Sequence, residues 1–405
     1  MNFLWRLNTI RTQLSAILNN SSFNPYPAIQ LPMAKNKIKI LQTIRQGKIG
    51  GGESHVIDLV EALDKDRYES VVLSFTEGPM VEHMKSIGVK TYVIPTEKPF
   101  DYSKWEEVKK IIDAEKIDLV HAHGTRANSN TNNSARKSGI PVIYTVHGWS
   151  FHPDQNFLVR ALRVWSEKYL VNKSTLTICV SDSNLKDAGD LFEMKRATVV
   201  KCGINLNKYN PDAASFLPVR KELGIADDVV LVGYIVRMTI QKDPLTLIRA
   251  ISLLPDDPKL KFLFVGDGDL KDDVISLAKE LKVSSRIFFM DFRQDVPNIL
   301  NAIDIYCLPS LWEGLPLGML EAMAMRKAIV ATAIDGTKEV INNMENGIVI
   351  PVKSPQKLAD ALLLLAGNKE LRESMGSKAR KTIEHDFNVE QMTRKIEKVY
   401  DNLTE

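Results

Sequence analysis

From residue 37 onward, short apolar, β-prone runs alternate with stretches whose apolar positions recur at helical spacing. The first run is 38–44; Gly50-Gly51-Gly52 breaks it, and helical periodicity follows over 53–63. Further strands are predicted at 68–75, 90–94, 119–121, 142–146, 177–180 and 198–200, with helices between most of them, among them 102–115 and 154–172. Turn residues from Gly203-Ile204-Asn205 to Pro211 then interrupt the rhythm. A second series follows at 229–235, 261–265, 286–289, 305–307, 328–331 and 347–350. Strands alternating with helices mean βαβ units and parallel sheets. Two such halves, joined near 205–215, leave a cleft at the carboxyl ends of the strands, where folds of this class take ligands. No solenoid-type repeat is present.

The first 32 residues break the pattern. Phe3, Leu4, Leu7, Ile10, Leu14, Ile17 and Leu18 recur at helical spacing beside Trp5, Arg6 and Arg11, and 19–32 is rich in Asn, Ser and Pro, as a linker is. A signal peptide fits worst, because polar residues interrupt the apolar run and no small-residue cleavage site is clear. Two readings stay open: an amphipathic helix lying at an interface, or an extension upstream of a natural start at Met33.

Composition narrows the class. The chain has 405 residues, 44% hydrophobic and 25% charged, which is a globular composition long enough for two domains. No run of about 20 apolar residues occurs, so a membrane-spanning helix is not expected. A net charge of +3 is too small to point to nucleic acid. The opening 52 residues hold no acidic side chain, a modest bias toward an anionic membrane surface. Cys179, Cys202 and Cys307 lie far apart without C-x-x-C spacing; they supply neither a disulfide framework nor a zinc knuckle and suit a reducing compartment.

The most informative run is Glu313-Gly314-Leu315-Pro316-Leu317-Gly318-Met319-Leu320-Glu321-Ala322-Met323-Ala324, after the strand at 305–307. Pro316 suits a first helical turn, which places Glu313 in the loop and Glu321 inside the helix. The unpaired N–H groups between them suit a phosphate, and the two carboxylates suit sugar hydroxyls. Acids near a helix start for the sake of its dipole are the plainer alternative. Arg237, with a planar fork, and Lys242, a point charge, follow the strand at 229–235. Fixed positive charge there stabilises a leaving diphosphate, although solvated surface charge is the commoner fate of such residues. Three consecutive glycines let a backbone approach a diphosphate closely, or form a plain tight turn. They do not fit G-x-G-x-x-G followed by an acid, which disfavours a dinucleotide enzyme.

The E-x7-E pattern within E-G-x-P-x-x-x-x-E-A-M-A resembles that of the family 4 retaining glycosyltransferases. Their fold is GT-B, an α/β architecture of two Rossmann-like parallel-sheet domains facing a central cleft. The resemblance runs from about Lys37 to the C-terminus. Gly50-Gly51-Gly52-Glu53 resembles the family's glycine turn, and His121-Ala122-His123 and Thr145-Val146-His147-Gly148 its two histidine-bearing strand ends. The segment 233–237 followed by Lys242-Asp243-Pro244 resembles its Arg…Lys pair, and Val265-Gly266-Asp267-Gly268 its second glycine turn. Two departures stand out: Cys202 occupies a place where the family often has Asn, and the approach to Arg237 is longer and bulkier than usual.

The resemblance implies an acceptor-binding domain at 33–205, a nucleotide-sugar-binding domain at 206–386, and a C-terminal helix over 387–405 that returns to the first domain. The extension 1–32 stays outside. It implies catalytic roles for His147, Arg237, Lys242 and Glu313. Donor contacts are implied for Gly51, Gly52, Arg237, Lys242, Gly266, Arg293, Glu313, Gly314, Leu315, Pro316, Leu317, Gly318 and Glu321. In this scheme His147 meets the donor sugar near C6, Glu313 its hydroxyls, Glu321 the ribose, and the loop Asp291-Phe292-Arg293 the base through backbone groups. Asp267-Gly268-Asp269 imitates a metal-holding D-x-D, but it sits in the glycine turn and the family generally needs no bound metal, so no metal and no cofactor are expected. His121 and His123 are expected to face opposite sides of their strand, and with no third ligand evident they make no metal site. The helix at 154–172, with Phe157, Leu158, Leu162, Trp165 and Tyr169 on one side, is expected to pack into the core with solvated basic residues outside. A membrane-facing role is the sharper alternative.

The expected activity is retaining transfer of a hexosyl group from a nucleotide-diphosphate sugar to a glycan or lipid-linked acceptor. Bacterial surface polysaccharide assembly (capsule, exopolysaccharide or lipopolysaccharide) is the implied setting, in the cytoplasm with peripheral contact at the inner face of the membrane. The rivals are a nucleotide-sugar 2-epimerase and a non-catalytic sugar-nucleotide-binding protein of the same fold.

Overall fold

The computed structural model describes residues 37–48, 50–152 and 155–404; the 1–32 extension and the helix expected in it lie outside these. The first series of strands is β1 (Ile38–Ile44), β2 (Tyr68–Ser74), β3 (Lys90–Val93), β4 (Leu119–His123), β5 (Val142–Val146), β6 (Leu176–Cys179) and β7 (Ala197–Val199). They form one parallel sheet in the order β3-β2-β1-β4-β5-β6-β7. The second series is β8 (Val230–Ile235), β9 (Leu260–Val265), β10 (Ile287–Met290), β11 (Ile305–Leu308), β12 (Ala328–Thr332) and β13 (Ile348–Ile350), parallel in the order β10-β9-β8-β11-β12-β13. Both sheets lie in one compact unit, Ile38–Glu405.

The sequence dictates this layering directly. Every residue of β5, β11 and β12 is buried, as a parallel sheet covered on both faces requires. Side chains alternate about the second sheet: Leu231, Leu263, Tyr306 and Leu308 pack in one cluster, and Val232, Phe262, Phe264, Ile305 and Cys307 in another. Each large side chain buried in this way contributes about 1.5–3 kcal/mol.

Two features position the cleft. Helix α1 (Gly51–Ala62) starts at the glycines themselves, so Gly51 and Gly52 are its first residues and not a separate turn. The two halves are joined by paired chain segments: Ile204 N–H donates to Phe387 O at 2.7 Å, and a Cβ on Gly203 would lie 2.4 Å from Val389 Cα. The last helix, Val389–Thr404, then packs on the first half, where Tyr400 OH accepts from Gln42 Nε2 at 3.0 Å.

The core-packed expectation for 154–172 does not hold. The helix runs Phe157–Lys173 (Asp154 lies outside the described residues), and its buried residues are Glu167, Leu170 and Val171. Phe157 is 78% exposed, Leu158 74%, Leu162 65% and Trp165 64%, while Tyr169 is also exposed. The inward face is organised by a carboxylate: Glu167 accepts from Thr125 Oγ1 at 2.7 Å, Tyr144 OH at 2.8 Å and Ser150 Oγ at 2.5 Å. The apolar stripe of Phe157, Leu158, Leu162 and Trp165 faces out.

Candidate active site

Each sheet reverses its strand order once, between β1 and β4 in the first and between β8 and β11 in the second. Such switch points open crevices at the carboxyl ends of strands. The first turn of α1 follows β1, His123 and His147 end or follow β4 and β5, Arg237 and Lys242 follow β8, and Glu313 follows β11. These groups converge from both halves. A Cβ on Gly51 would lie 3.5 Å from Leu317, and one on Gly52 3.5 Å from the His147 ring. A Cβ on Gly314 would lie only 2.6 Å from the carbonyl oxygen of His147, so the halves touch where a side chain has no room.

On the second half the charges are organised around Glu313, whose side chain is 7% exposed. Its carboxylate accepts from Lys242 Nζ, from Ser310 Oγ at 2.7 Å and from Gln241 Nε2 at 3.2 Å. Gln241 also donates to Trp312 O at 2.9 Å, which ties the two loops together. Arg237 is exposed, and its charge acts on Glu53 of α1 across the cleft. Helix α2 of this site, in chain order along the cleft, is Leu317–Ala324; Pro316 precedes it instead of occupying its first turn, and no side chain caps its N–H groups. Leu317 and Gly318 therefore present a free helix N-terminus.

Packing limits what several of these residues can offer a ligand. Leu315 is buried in the core of the second half, so only its backbone faces the cleft side; Pro316 is buried as well. The Arg293 guanidinium is committed elsewhere, to Glu222 at 2.9 Å and Asp295 at 2.8 Å, which leaves backbone groups alone for any ligand at that loop. Gly266 has φ +130°, and a Cβ there would lie 2.4 Å from Val236 O; it is needed to pack the turn against the Arg237 loop. Glu321 is partly buried. Burial pushes its carboxyl up, against a hydrogen bond from Tyr209 and the nearby Lys208 charge.

The first half contributes histidines. His121 and His123 share one side of β4, their rings 4.1 Å apart, because residues two apart on a strand point the same way. His121 lies 2.7 Å from both Tyr400 OH and Thr145 Oγ1. His123 Nε2 lies 2.9 Å from Gln42 Oε1, and its Nδ1 lies 3.3 Å from His147 Nε2. A carbonyl oxygen only accepts, so His123 donates through Nε2 and accepts at Nδ1, and His147 donates through Nε2. That leaves His147 Nδ1 as an acceptor, suited to a hydroxyl. Burial holds His121, His123 and His147 well below the usual imidazole range, so all three are neutral near pH 7.

Sequence reasoning missed Ser310, Gln241, Tyr209, Lys208, His55 and Asp58. Gln241 stands directly before Lys242, and His55 and Asp58 are three apart on α1, one turn beyond the glycines; both were within reach of a search for helix-face neighbours.

Two parallel sheets facing each other with charged loops on one and glycines and histidines on the other define a glycosyltransferase of GT-B architecture. Residues 217–382 match the family model for glycosyl transferases group 1, and 49–208 that for glycosyltransferase family 4. The chain belongs to the family 4 glycosyltransferases. It is 26% identical over 377 residues, 90% of this chain and 97% of the relative, to the Escherichia coli UDP-Gal:alpha-D-GlcNAc-diphosphoundecaprenol alpha-1,3-galactosyltransferase. It is 27% identical over 362 residues, 85% and 94% of the two chains, to the Campylobacter jejuni N,N'-diacetylbacillosaminyl-diphospho-undecaprenol alpha-1,3-N-acetylgalactosaminyltransferase. The crystal structure of Anabaena HepE in complex with UDP and glucose has the same fold, with a TM-score of 0.80 at 22% identity over 90% of this chain and 100% of that one.

Proposed function

We propose that the chain transfers a hexosyl group, with retention of anomeric configuration, from a nucleotide-diphosphate sugar to a lipid-linked glycan acceptor. The setting is the assembly of bacterial surface polysaccharide at the inner face of the cytoplasmic membrane. The observation that carries this reading is the convergence of Arg237, Lys242 and the free N-terminus of the Leu317–Ala324 helix opposite Gly51, Gly52 and His147. The undecaprenol-linked acceptors and UDP-galactose in the relatives' names support the acceptor class and a uridine diphosphate donor.

In this reading the diphosphate lies against Arg237, Lys242 and the helix N-terminus, which stabilise the charge it gains on leaving. Glu313, held by Ser310 and Gln241, accepts from sugar hydroxyls while its partner Lys242 turns toward phosphate. The acceptor hydroxyl attacks C1 from the face the diphosphate leaves. Its proton passes to a phosphate oxygen of the leaving group, so no protein base and no metal take part. His147 Nδ1 accepts from a sugar hydroxyl, and closing of the halves excludes water.

The outward stripe of the Phe157–Lys173 helix supports the membrane part. Phe157, Leu158, Leu162 and Trp165 are exposed beside Arg160, Arg163, Lys168 and Lys173, a pairing of apolar and basic groups that suits an anionic bilayer surface. Among the described residues no helix is long and apolar enough to cross a membrane. A panel of nucleotide sugars, read by mass spectrometry of released nucleotide with and without membrane extract, tests the donor and acceptor classes. Product of inverted configuration, or interconversion of the donor sugar without acceptor, would overturn the proposal.

A further inference from the structure

His55 takes no part in the donor chemistry described above. It is 2% exposed, and neither ring nitrogen has a hydrogen-bond partner. A buried imidazole carries both a donor and an acceptor, so this is a costly arrangement unless something meets them. Its ring stands edge-on to that of His147, centroids 4.8 Å apart. Cys202, also 2% exposed, comes from the segment after β7 that leads into the second half. One ligand atom from each of His55, His147 and Cys202 lies within 4.8 Å of the other two. Among the described residues no other group of three such side chains meets in this way.

The geometry points to a binding site for a zinc-class divalent cation, held by His55, His147 and the thiolate of Cys202 and exclusive with productive donor binding. Imidazole and thiolate are the donors this class of ion prefers, and three protein ligands with one water complete its tetrahedron. Metal–nitrogen and metal–sulfur bonds of about 2.0–2.3 Å set neighbouring ligand atoms about 3.3–3.8 Å apart. Closing from 4.8 Å therefore takes a movement of about an ångström.

The surroundings suit such an ion. His147 already donates through Nε2 to His123, which in turn is held by Gln42, so its Nδ1 lone pair is oriented as a second hydrogen-bonded layer orients metal-bound histidines. The Asp58 carboxyl lies near enough to act electrostatically on Cys202. Binding releases the thiol proton to solvent and leaves a metal-bound thiolate. The other cysteines offer no such company: Cys179 and Cys307 are buried among apolar side chains of the sheets. The competition with donor rests on the proposed function, because it requires His147 to serve the donor sugar; the site itself does not.

The full-length protein, freed of metal with a chelator, is titrated with cobalt(II) and then with zinc(II). One equivalent of cobalt is expected to produce a near-ultraviolet thiolate-to-cobalt charge-transfer band that zinc abolishes. Cys202→Ser removes the band and weakens zinc binding by at least about a hundredfold, beyond the range for loss of outer-layer partners. His55→Gln does the same and serves as the second variant if Cys202→Ser fails to fold. In the transfer assay zinc inhibits competitively with donor, and Cys202→Ser retains activity at zinc concentrations at least tenfold higher. Absence of the thiolate band, or a band unchanged in both variants, overturns the site. Zinc inhibition equally strong in Cys202→Ser overturns the competition. Should no donor support transfer at all, the cobalt spectrum still decides the site.

Discussion

At the switch point of the first sheet the polar groups are buried and driven toward their neutral forms, whereas at that of the second sheet charges are exposed or paired. Burial lowers His55 to about 4 and holds His121, His123 and His147 well below the usual range. On the same half, burial pushes Glu53 up and Asp58 up to about 7. The second half keeps Lys242 against Glu313, Lys271 against Asp291 at 2.5 Å, and Arg237 exposed. Glu321 is its exception, pushed up by burial. The same topology thus supports two electrostatic roles. Under the proposed function, a diphosphate would meet its charge on one half, while the other half would offer glycines and neutral acceptors to the sugar.

The strongest way to break this contrast is to remove one group from each side. Arg237→Ala and Lys242→Ala are each expected to lower kcat by about 10²–10³, the cost of deleting a preorganised electrostatic contact. His147→Ala, which removes a neutral hydrogen bond, is expected to cost about tenfold or less. Nucleotide release at saturating donor measures both, with thermal unfolding as the check that each variant folds. Comparable losses on the two sides would show that the charged half holds no privileged role.

A smaller effect is expected where the halves touch. In Gly314→Ala the new methyl meets His147 O at 2.6 Å, and overpacking of this kind costs about 1–3 kcal/mol. Because the contact lies between halves, opening the cleft relieves it more easily than repacking either core. The donor KM is therefore expected to rise by about tenfold with little change in thermal midpoint. A lowered midpoint with unchanged KM would place the strain inside one half instead.

These sites differ in how far they could be read from the sequence. The strands were legible because both faces of a parallel sheet are buried, so β5 and β11 appear as unbroken apolar runs. The span from Glu313 to Glu321 was legible because its chemistry lies within one loop and one helix. The partners of Glu313 were not, since Ser310, Gln241 and Lys242 meet only when β8 and β11 pair. The same holds for His55, His147 and Cys202, which come from three distant segments. Periodicity located the apolar stripe on the Phe157–Lys173 helix but not its direction. Glu167, an acid in the sequence, was the inward residue because Thr125, Tyr144 and Ser150 satisfy it.

The finest test concerns Asp58, a buried carboxyl on the first half that burial pushes up to about 7. Its burial on α1 favours the protonated form; Lys208 and His83 oppose that shift, and Glu321 and Glu61 reinforce it. The native state therefore keeps this proton up to a pH of about 7, while the unfolded chain releases it near 3.8. Between those values the native state binds more protons, so this carboxyl contributes stability at low pH that is lost as pH rises through about 7. Asn has nearly the same shape and cannot ionise. Asp58→Asn is expected to match the wild type at pH 4 and to gain about 4 kcal/mol by pH 8, read from urea midpoints across the range. Its transfer activity is expected to stay unchanged, because Asp58 does not touch the donor. A stability difference constant across that pH range would mean that Asp58 is ionised throughout, and the first half would not be the neutral partner of the charged one.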